Sequence, residues 1–464
     1  PVFKMIHEYP VDGRPPMMTH IFENKEGKRI IAAKGGPEAI MRLSGLTEKE
    51  ISKVQRMVNR LSEDGFRVLA VGEAVFEGTI FPDKQQQFRF RLMGLLAFYD
   101  PPKQNIQKVF EQFYAAGIDV KIVTGDYAAT TAAIARQVGF KGCGPILSGD
   151  DILSLNDQAL PVKAENCHIF ARMFPEAKLK LVNALKAKNE VAAKMVDGVN
   201  DAPALKAANI GIAMGKKGTE VARRAAALVL LDDDFSKMPE AIAMGRKIYA
   251  NLKKAIQYII SIHIPIILIV FVPLALGWKY PNIFSPVHII FLELIMGPTC
   301  SIVYENEPME KNTMLQKPRS FTNSFFNWRE LLTSITQGLV ITTAALLVYQ
   351  FAVSSNFSQS VVRTMVFCVI IGANITLTFV NRSFYYSIFT TLRYKNNLLG
   401  FVILATTTIT AMLIYVKPVA SFLGFEALSF RDLAFALLAG LLSVIWYELI
   451  KLRKRRMVVH KRSF

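Results

Sequence analysis

From about residue 255 onward the sequence is a series of apolar runs, and their length restricts the fold more than any other feature. Runs near 255–276, 285–305, 331–353, 362–380, 398–416 and 430–450 each hold about 20 residues, the length a helix needs to cross a hydrocarbon core. In lipid, backbone N–H and C=O groups must find partners within the segment, so such runs have to be helical. The pattern predicts an all-α membrane domain of six helices over 255–464, ending in a basic tail. The connections alternate in charge. One set carries Lys311, Lys317, Arg319, Arg329, Arg382, Arg393 and Lys395 and is joined by the tail Lys451–Arg462; the other has little beyond Lys279 and Lys417. Lys and Arg accumulate on the cytoplasmic side, so the first run enters from the cytoplasm and the number of crossings is even. The net charge of +18 belongs to these loops and to scattered folded segments, which excludes a nucleic-acid partner.

Polar groups within such runs are costly and become candidates for an ion path. Glu293 stands out in Phe291-Leu292-Glu293-Leu294-Ile295-Met296-Gly297-Pro298, where Gly297 and Pro298 are expected to interrupt the helix and free carbonyls. His263 sits beside Pro265 in the preceding run, and Asn374 lies in the fourth. Glu305 and Glu307 are expected at the cytoplasmic edge, solvated. The cysteines, Cys143, Cys167, Cys300 and Cys368, form no CxxC pair, so neither a zinc site nor a disulfide framework is expected.

The first half is mixed α and β. Met17–Glu23 and Arg29–Lys34 flank a polar turn with Gly27 and predict a hairpin. Residues 95–236 alternate strand and helix, as a parallel sheet requires. Strands are expected at Leu92–Tyr99, Val120–Val123, Ile169–Arg172, Ile210–Gly215 and Leu228–Asp234, and a further buried strand ends at Val191-Ala192-Ala193. Polar strings follow two of these strands: Thr124-Gly125-Asp126, and Asp197-Gly198-Val199-Asn200-Asp201. Acids at the carboxyl ends of parallel strands lie where open α/β sheets bind ligands, and two close carboxylates suit a hard cation such as Mg²⁺.

The string Met195–Gly215, MVDGVNDAPALKAANIGIAMG, resembles the hinge signature of P-type ATPases, GDGVNDAPAL followed by IGIAMG, with Val196 in place of the glycine. Lys34-Gly35-Gly36-Pro37-Glu38 resembles that family's KGAPE, with Gly36 for alanine. Gly65–Ala70 resembles GLRVLA, and Asp100-Pro101-Pro102-Lys103 resembles DPPR. The resemblance covers essentially the whole chain and implies a fold. Residues 1–94 would be the C-terminal part of an α+β nucleotide-binding domain, and 95–236 an α/β haloacid-dehalogenase-like phosphorylation domain. A stalk helix would occupy 237–254, and the transmembrane domain 255–464. It implies roles as well: Asp197 for Mg²⁺; Thr124, Gly125, Asp126, Lys178, Asn200 and Asp201 around the phosphoryl group; and Tyr9, Lys34, Gly35, Arg67 and Arg172 for ATP.

The family's phosphorylated aspartate lies in DKTGT, a string that does not occur here. The chain starts at Pro1 without a leader and reads as the C-terminal half of such a pump, with the N-terminal half as its partner. The segment Pro286–Pro308 resembles the sixth membrane helix of calcium-pump-like members, with Glu293 on an asparagine position, Gly297 on an aspartate position and His263 on another asparagine position. The implied activity is ATP-driven Ca²⁺ transport in the plasma membrane, with the ATP-binding domains in the cytoplasm. A proton or monovalent cation is the alternative cargo, and a pump remnant without turnover the other reading.

Overall fold

A computed structural model describes residues 2–78, 80–198, 201–319, 325 and 327–460. The chain divides into two units, Pro1–Glu240 with Met314–Phe321, and Ala241–Thr313 with Thr322–Phe464. The boundary falls inside one helix, Lys237–Ala275.

The first unit begins with a five-stranded antiparallel sheet in sequential order: β1 (Phe3–Asp12), β2 (Met17–Asn24), β3 (Arg29–Gly35), β4 (Arg67–Ala74) and β5 (Phe90–Phe98). Alternation explains the inner strands. In β4, Val68, Ala70, Gly72 and Ala74 face inward while their neighbours face out. The expected hairpin forms as β2 and β3, with the Asn24 Oδ1 accepting from the Glu26 and Lys28 amides in the turn. Helices Pro37–Arg42 and Glu48–Glu63 follow β3; the second starts at a capping box of Thr47 and Glu50.

Six short strands follow: β6 (Ile122–Val123), β7 (Ile146–Ser148), β8 (Ile169–Ala171), β9 (Ala193–Val196), β10 (Ile210–Met214) and β11 (Leu228–Leu230). They are parallel, as expected, and form two three-stranded sheets, β6-β8-β7 and β11-β10-β9. The sequence reading differs in several places: the strand expected at Leu92–Tyr99 among the parallel ones is β5, paired antiparallel with β4, and the one expected at Val120–Val123 is confined to Ile122–Val123. The strand expected to end at Ala193 starts there and runs to Val196, because Val191 is 48% exposed while Val196 packs in the core. The last strand stops at Leu230, where the chain turns at Asp233, whose φ is +56°.

Among the described residues six helices are long and apolar enough to cross a membrane, and the second unit holds all of them but the start of the first: Lys237–Ala275, Pro286–Val303, Trp328–Ser354, Gln359–Val380, Asn397–Tyr415 and Phe430–Arg456. Gln359–Val380 is the most enclosed, and it meets Phe430–His460 where Gly372 and Gly440 let the backbones approach. The interruption expected at Gly297-Pro298 takes a different form. The helix continues through Pro298 into a π-helical turn, Thr299–Val303, and the Ser301 hydroxyl caps the Gly297 carbonyl at 3.0 Å.

Candidate functional site

In the first unit a line of contacts joins the carboxyl ends of β6, β8 and β9. Thr124 follows β6; its carbonyl accepts from the Met173 amide, and the Asp126 carbonyl accepts from the Arg172 amide, both at 2.9–3.0 Å. The Thr124 hydroxyl accepts from the Asp126 amide and donates to its carboxylate, each at 3.1 Å, which fixes the turn. Gly125 leaves a Cβ position 3.6 Å from the Met173 carbonyl, an ordinary contact. Pro175 then opens the helix Pro175–Ala187, which carries Lys178. The Lys178 Nζ lies 2.7 Å from Asp201 Oδ1, with both side chains about one-seventh exposed. Asp201 sits at the cap of helix Ala202–Ala207, and Asp197 is exposed at the end of β9. Asn200 lies outside the described residues.

Val196, the departure from the hinge signature, turns its side chain into an apolar cluster with Leu205, Ala213 and Ala222. It fills core beneath the loop and leaves the Asp197 carboxylate in the open. Among the described residues no three His, Cys, Asp or Glu side chains group as a metal cage. An exposed carboxylate at a strand end is nonetheless the donor Mg²⁺ uses when substrate phosphates and water supply the remaining ligands, so Asp197 fits that ion.

Lys194 is a residue that the sequence reading missed. It lies on β9, three positions before Asp197 and on the same strand face as Val196. Burial drives its ammonium below the ordinary lysine value and Lys178 adds to this, while Asp201 and Asp197 oppose the shift. Its signal was a lysine inside an otherwise apolar strand.

Two arginines face the same region. Arg67 starts β4, and its Nε lies 3.3 Å from Asp126 Oδ1. Arg172 has φ +50°, a left-handed conformation rare for a side chain of its size. Its Nη2 donates to both Glu38 oxygens at 2.9 and 2.8 Å, and its guanidinium lies 5.3 Å over the Tyr127 ring. Glu38 belongs to the KGGPE turn. A Cβ on Gly35 would lie 2.6 Å from the Met17 Cβ and 2.7 Å from the Pro16 carbonyl, so only glycine fits. At Gly36 a Cβ would lie 3.0 Å from the Pro15 Cβ; the glycine there is therefore not an idle replacement for alanine. Lys34 is exposed on β3. Tyr9 is 7% exposed within the sheet core, its hydroxyl bonded to the Pro82 carbonyl and its ring edge-on to Phe88. Burial, then Asp83, raises its phenol above the ordinary value. The packing places Tyr9 in the cluster with Phe88 and Phe90.

In the second unit His263 and Glu293 come together. The His263 Nε2 lies 3.0 Å from Glu293 Oε1, and its Nδ1 lies 2.8 Å from the Ile259 carbonyl. Both side chains are a little under half exposed. Asn374 is not part of this pair. It is 1% exposed, and its side-chain oxygen takes the Tyr258 hydroxyl. Glu305 is exposed as expected, but Glu307 is fully buried, because Arg382 reaches it from 75 residues away. Neither residue was expected to be buried.

The family described as cation transporting ATPase, C-terminus, matches residues 281–453, and that described as haloacid dehalogenase-like hydrolase matches 11–209. Calcium-transporting ATPase 1 of Bacillus cereus is 29% identical over 98% of this chain and 54% of its own length. A calcium-transporting ATPase of Listeria monocytogenes is 31% identical over 81% of this chain and 43% of its own length. Calcium-transporting ATPase 1 of Saccharomyces cerevisiae is 30% identical over 74% and 37%. The chain spans about half the length of the curated relatives it matches, or less.

Proposed function

The chain belongs to the P-type cation-transporting ATPases of the calcium-pump-like kind, and from that premise we propose that it serves ATP-driven Ca²⁺ transport through an aspartyl-phosphate. The observation that carries the reading is the Lys178–Asp201 contact at the ends of parallel strands, which joins two motifs 23 residues apart. In this reading Lys34 and Arg67 take ATP phosphates and Arg172 the nucleotide. The Thr124-Gly125-Asp126 turn offers a hydroxyl and backbone amides to the transferred phosphoryl, while Lys178 offsets its charge and Asp201 holds the Lys178 ammonium in place. Asp197 holds Mg²⁺, which supplies charge neutralisation at the phosphate oxygens. The acceptor aspartate comes from a segment outside these 464 residues.

The ion path runs past Glu293 and His263, in the plasma membrane with the first unit in the cytoplasm. Phosphorylation shifts a two-state arrangement that helix Lys237–Ala275 carries to that pair. A proton or monovalent cation is the second reading. It is favoured by the single carboxylate, Glu293, already paired with an imidazole, and by Gly297, which brings no ligand.

The test is phosphoenzyme formation from labelled ATP in membranes carrying the complete protein. Acid-stable label that requires Ca²⁺ is expected, and Glu293→Gln should remove that dependence while sparing ATP binding. Label indifferent to Ca²⁺ selects the second reading, and no label with any ion rejects turnover.

A further inference from the structure

Two fully buried side chains in the second unit carry opposite charge. Glu307 and Arg382 are 0% and 1% exposed, and neither belongs to the ion pair at Glu293. The Arg382 Nε donates to the Glu307 oxygens at 3.0 and 3.1 Å, and an Nη lies 2.9 Å from one of them. The Asn396 amide adds a third donor at 3.0 Å. The Glu307 backbone carbonyl accepts from the Asn251 amide at 2.7 Å. One turn along the same helix, Lys254 pairs with Glu310 at 2.8 Å. Desolvating such charges costs about as much as their attraction returns, so bulk stability is a poor reason for their presence; fixing one register among several is a better one.

Their placement says which register. Asn251 and His263 lie on one helix; Glu293 lies on the next, which ends with the π turn Thr299–Val303, and Glu307 lies four residues past that end. The first helix is therefore tied at two levels, to the second helix by His263–Glu293 and to the segment that directly follows that helix by Asn251–Glu307 with Lys254–Glu310. The levels are 12 residues apart on the first helix, roughly 18 Å at the helical rise. The π turn between Glu293 and Glu307 is a place where axial slack can accumulate. Whatever sets the lower join then decides whether Nε2 and Oε1 meet at the upper one.

We propose that Glu307 is a positioning residue for the ion site: its buried carboxylate, locked by Arg382 and Asn396, fixes the axial register of the Glu293 helix against the His263 helix. The inference rests on the reading of Glu293 as part of the ion path, but its geometric content can be tested apart from it. Spin labels at Ile267 and Ile290, both exposed, would report the spacing of the two helices in the chain reconstituted in bilayers, with the native cysteines replaced. Glu307→Gln should shift or split the distance distribution by about 1.5 Å or more, one helical rise. Glu305→Gln, at an exposed position, should leave it unchanged. Glu307→Asp keeps the charge and withdraws it by one methylene, so it should give a smaller shift and serves if Glu307→Gln does not fold. A distribution superimposable on the wild type in a folded Glu307 variant overturns the proposal, whatever the protein transports.

In the complete pump, Glu307→Gln should raise the ion concentration for half-maximal phosphoenzyme roughly tenfold with the KM for ATP unchanged. A merely structural role would lower yield and leave that midpoint in place. A wild-type protein that takes no label with any ion refutes the pump reading, and the spin-label distances still decide the positioning claim.

Discussion

Gly440→Ala isolates a close helix contact in the second unit. A Cβ there would lie 2.4 Å from the Val369 carbonyl oxygen and 2.7 Å from the Ala373 amide nitrogen, both backbone atoms that no rotamer change can move. A Cβ added at Gly372, on the opposing helix, would lie 2.9 Å from the Leu437 carbonyl oxygen, so the close approach extends over a turn. Restoring ordinary contact requires the helices Gln359–Val380 and Phe430–His460 to separate by roughly 1 Å, and such a gap forfeits a quarter to a half of each dispersion well along the seam. Overpacking of this kind costs about 1–3 kcal/mol, and the backbone partners put it at the upper end. Helix propensity returns about 1 kcal/mol to any Gly→Ala change, so the net loss is about 1–2 kcal/mol.

Gly400 supplies the matched control. It is exposed on helix Asn397–Tyr415 with nothing within 4 Å of its Cβ position, so Gly400→Ala should stabilise by up to about 1 kcal/mol. Thermal unfolding in detergent can be followed by a thiol dye at the buried Cys368, on the Gly372 helix, in a background lacking the other three cysteines. Gly440→Ala should unfold below the wild type and Gly400→Ala at or above it. Equal midpoints for the two variants would refute the backbone contact and the packing argument with it.

Other outcomes follow from single sites. Lys194→Met should raise the thermal stability of the first unit, because it removes an ammonium that burial disfavours, and should weaken binding of a phosphate analogue such as vanadate; loss of stability would contradict the reading of Lys194 as a strained cation. Ser148→Ala removes the cap of helix Gly149–Ser154 and should cost about 1 kcal/mol near neutral pH. The Ser148 hydroxyl, then its amide, holds the Asp151 carboxyl below its ordinary value of 3.8. A depressed carboxyl stabilises above the unfolded value and loses that contribution as pH falls through the folded one. Stability curves for wild type and Ser148→Ala should therefore draw closer below about pH 4, leaving the share from the Asp151 amide bond to the Ser148 hydroxyl, and curves that stay parallel to pH 2 would reject the linkage.

Elements set by local chemistry were legible in the sequence. Six apolar runs gave six helices at nearly the expected places, because the length of an apolar run and the closure of backbone hydrogen bonds need no knowledge of neighbours. The β2–β3 hairpin and the polar turns after β6 and β9 were legible for the same reason, since turn chemistry and strand alternation act over a few residues. Strand β1 was not. Only Tyr9 is buried in its ten residues, so no alternation announces it, and pairing with β2 is what makes it a strand. Tyr9 itself packs with Phe88 and Phe90, a burial its string does not announce.

The site divides in the same way. Its acids and lysines could be named from their strings, whereas only the folded chain shows that Lys178 reaches Asp201 and Arg172 grips Glu38 across 134 residues. Glu307 and Arg382 gave no sign of each other, and each alone reads as a solvated loop charge. A charge is buried when packing brings its partner to it, and that meeting of distant segments is a property of the tertiary structure rather than of any local pattern.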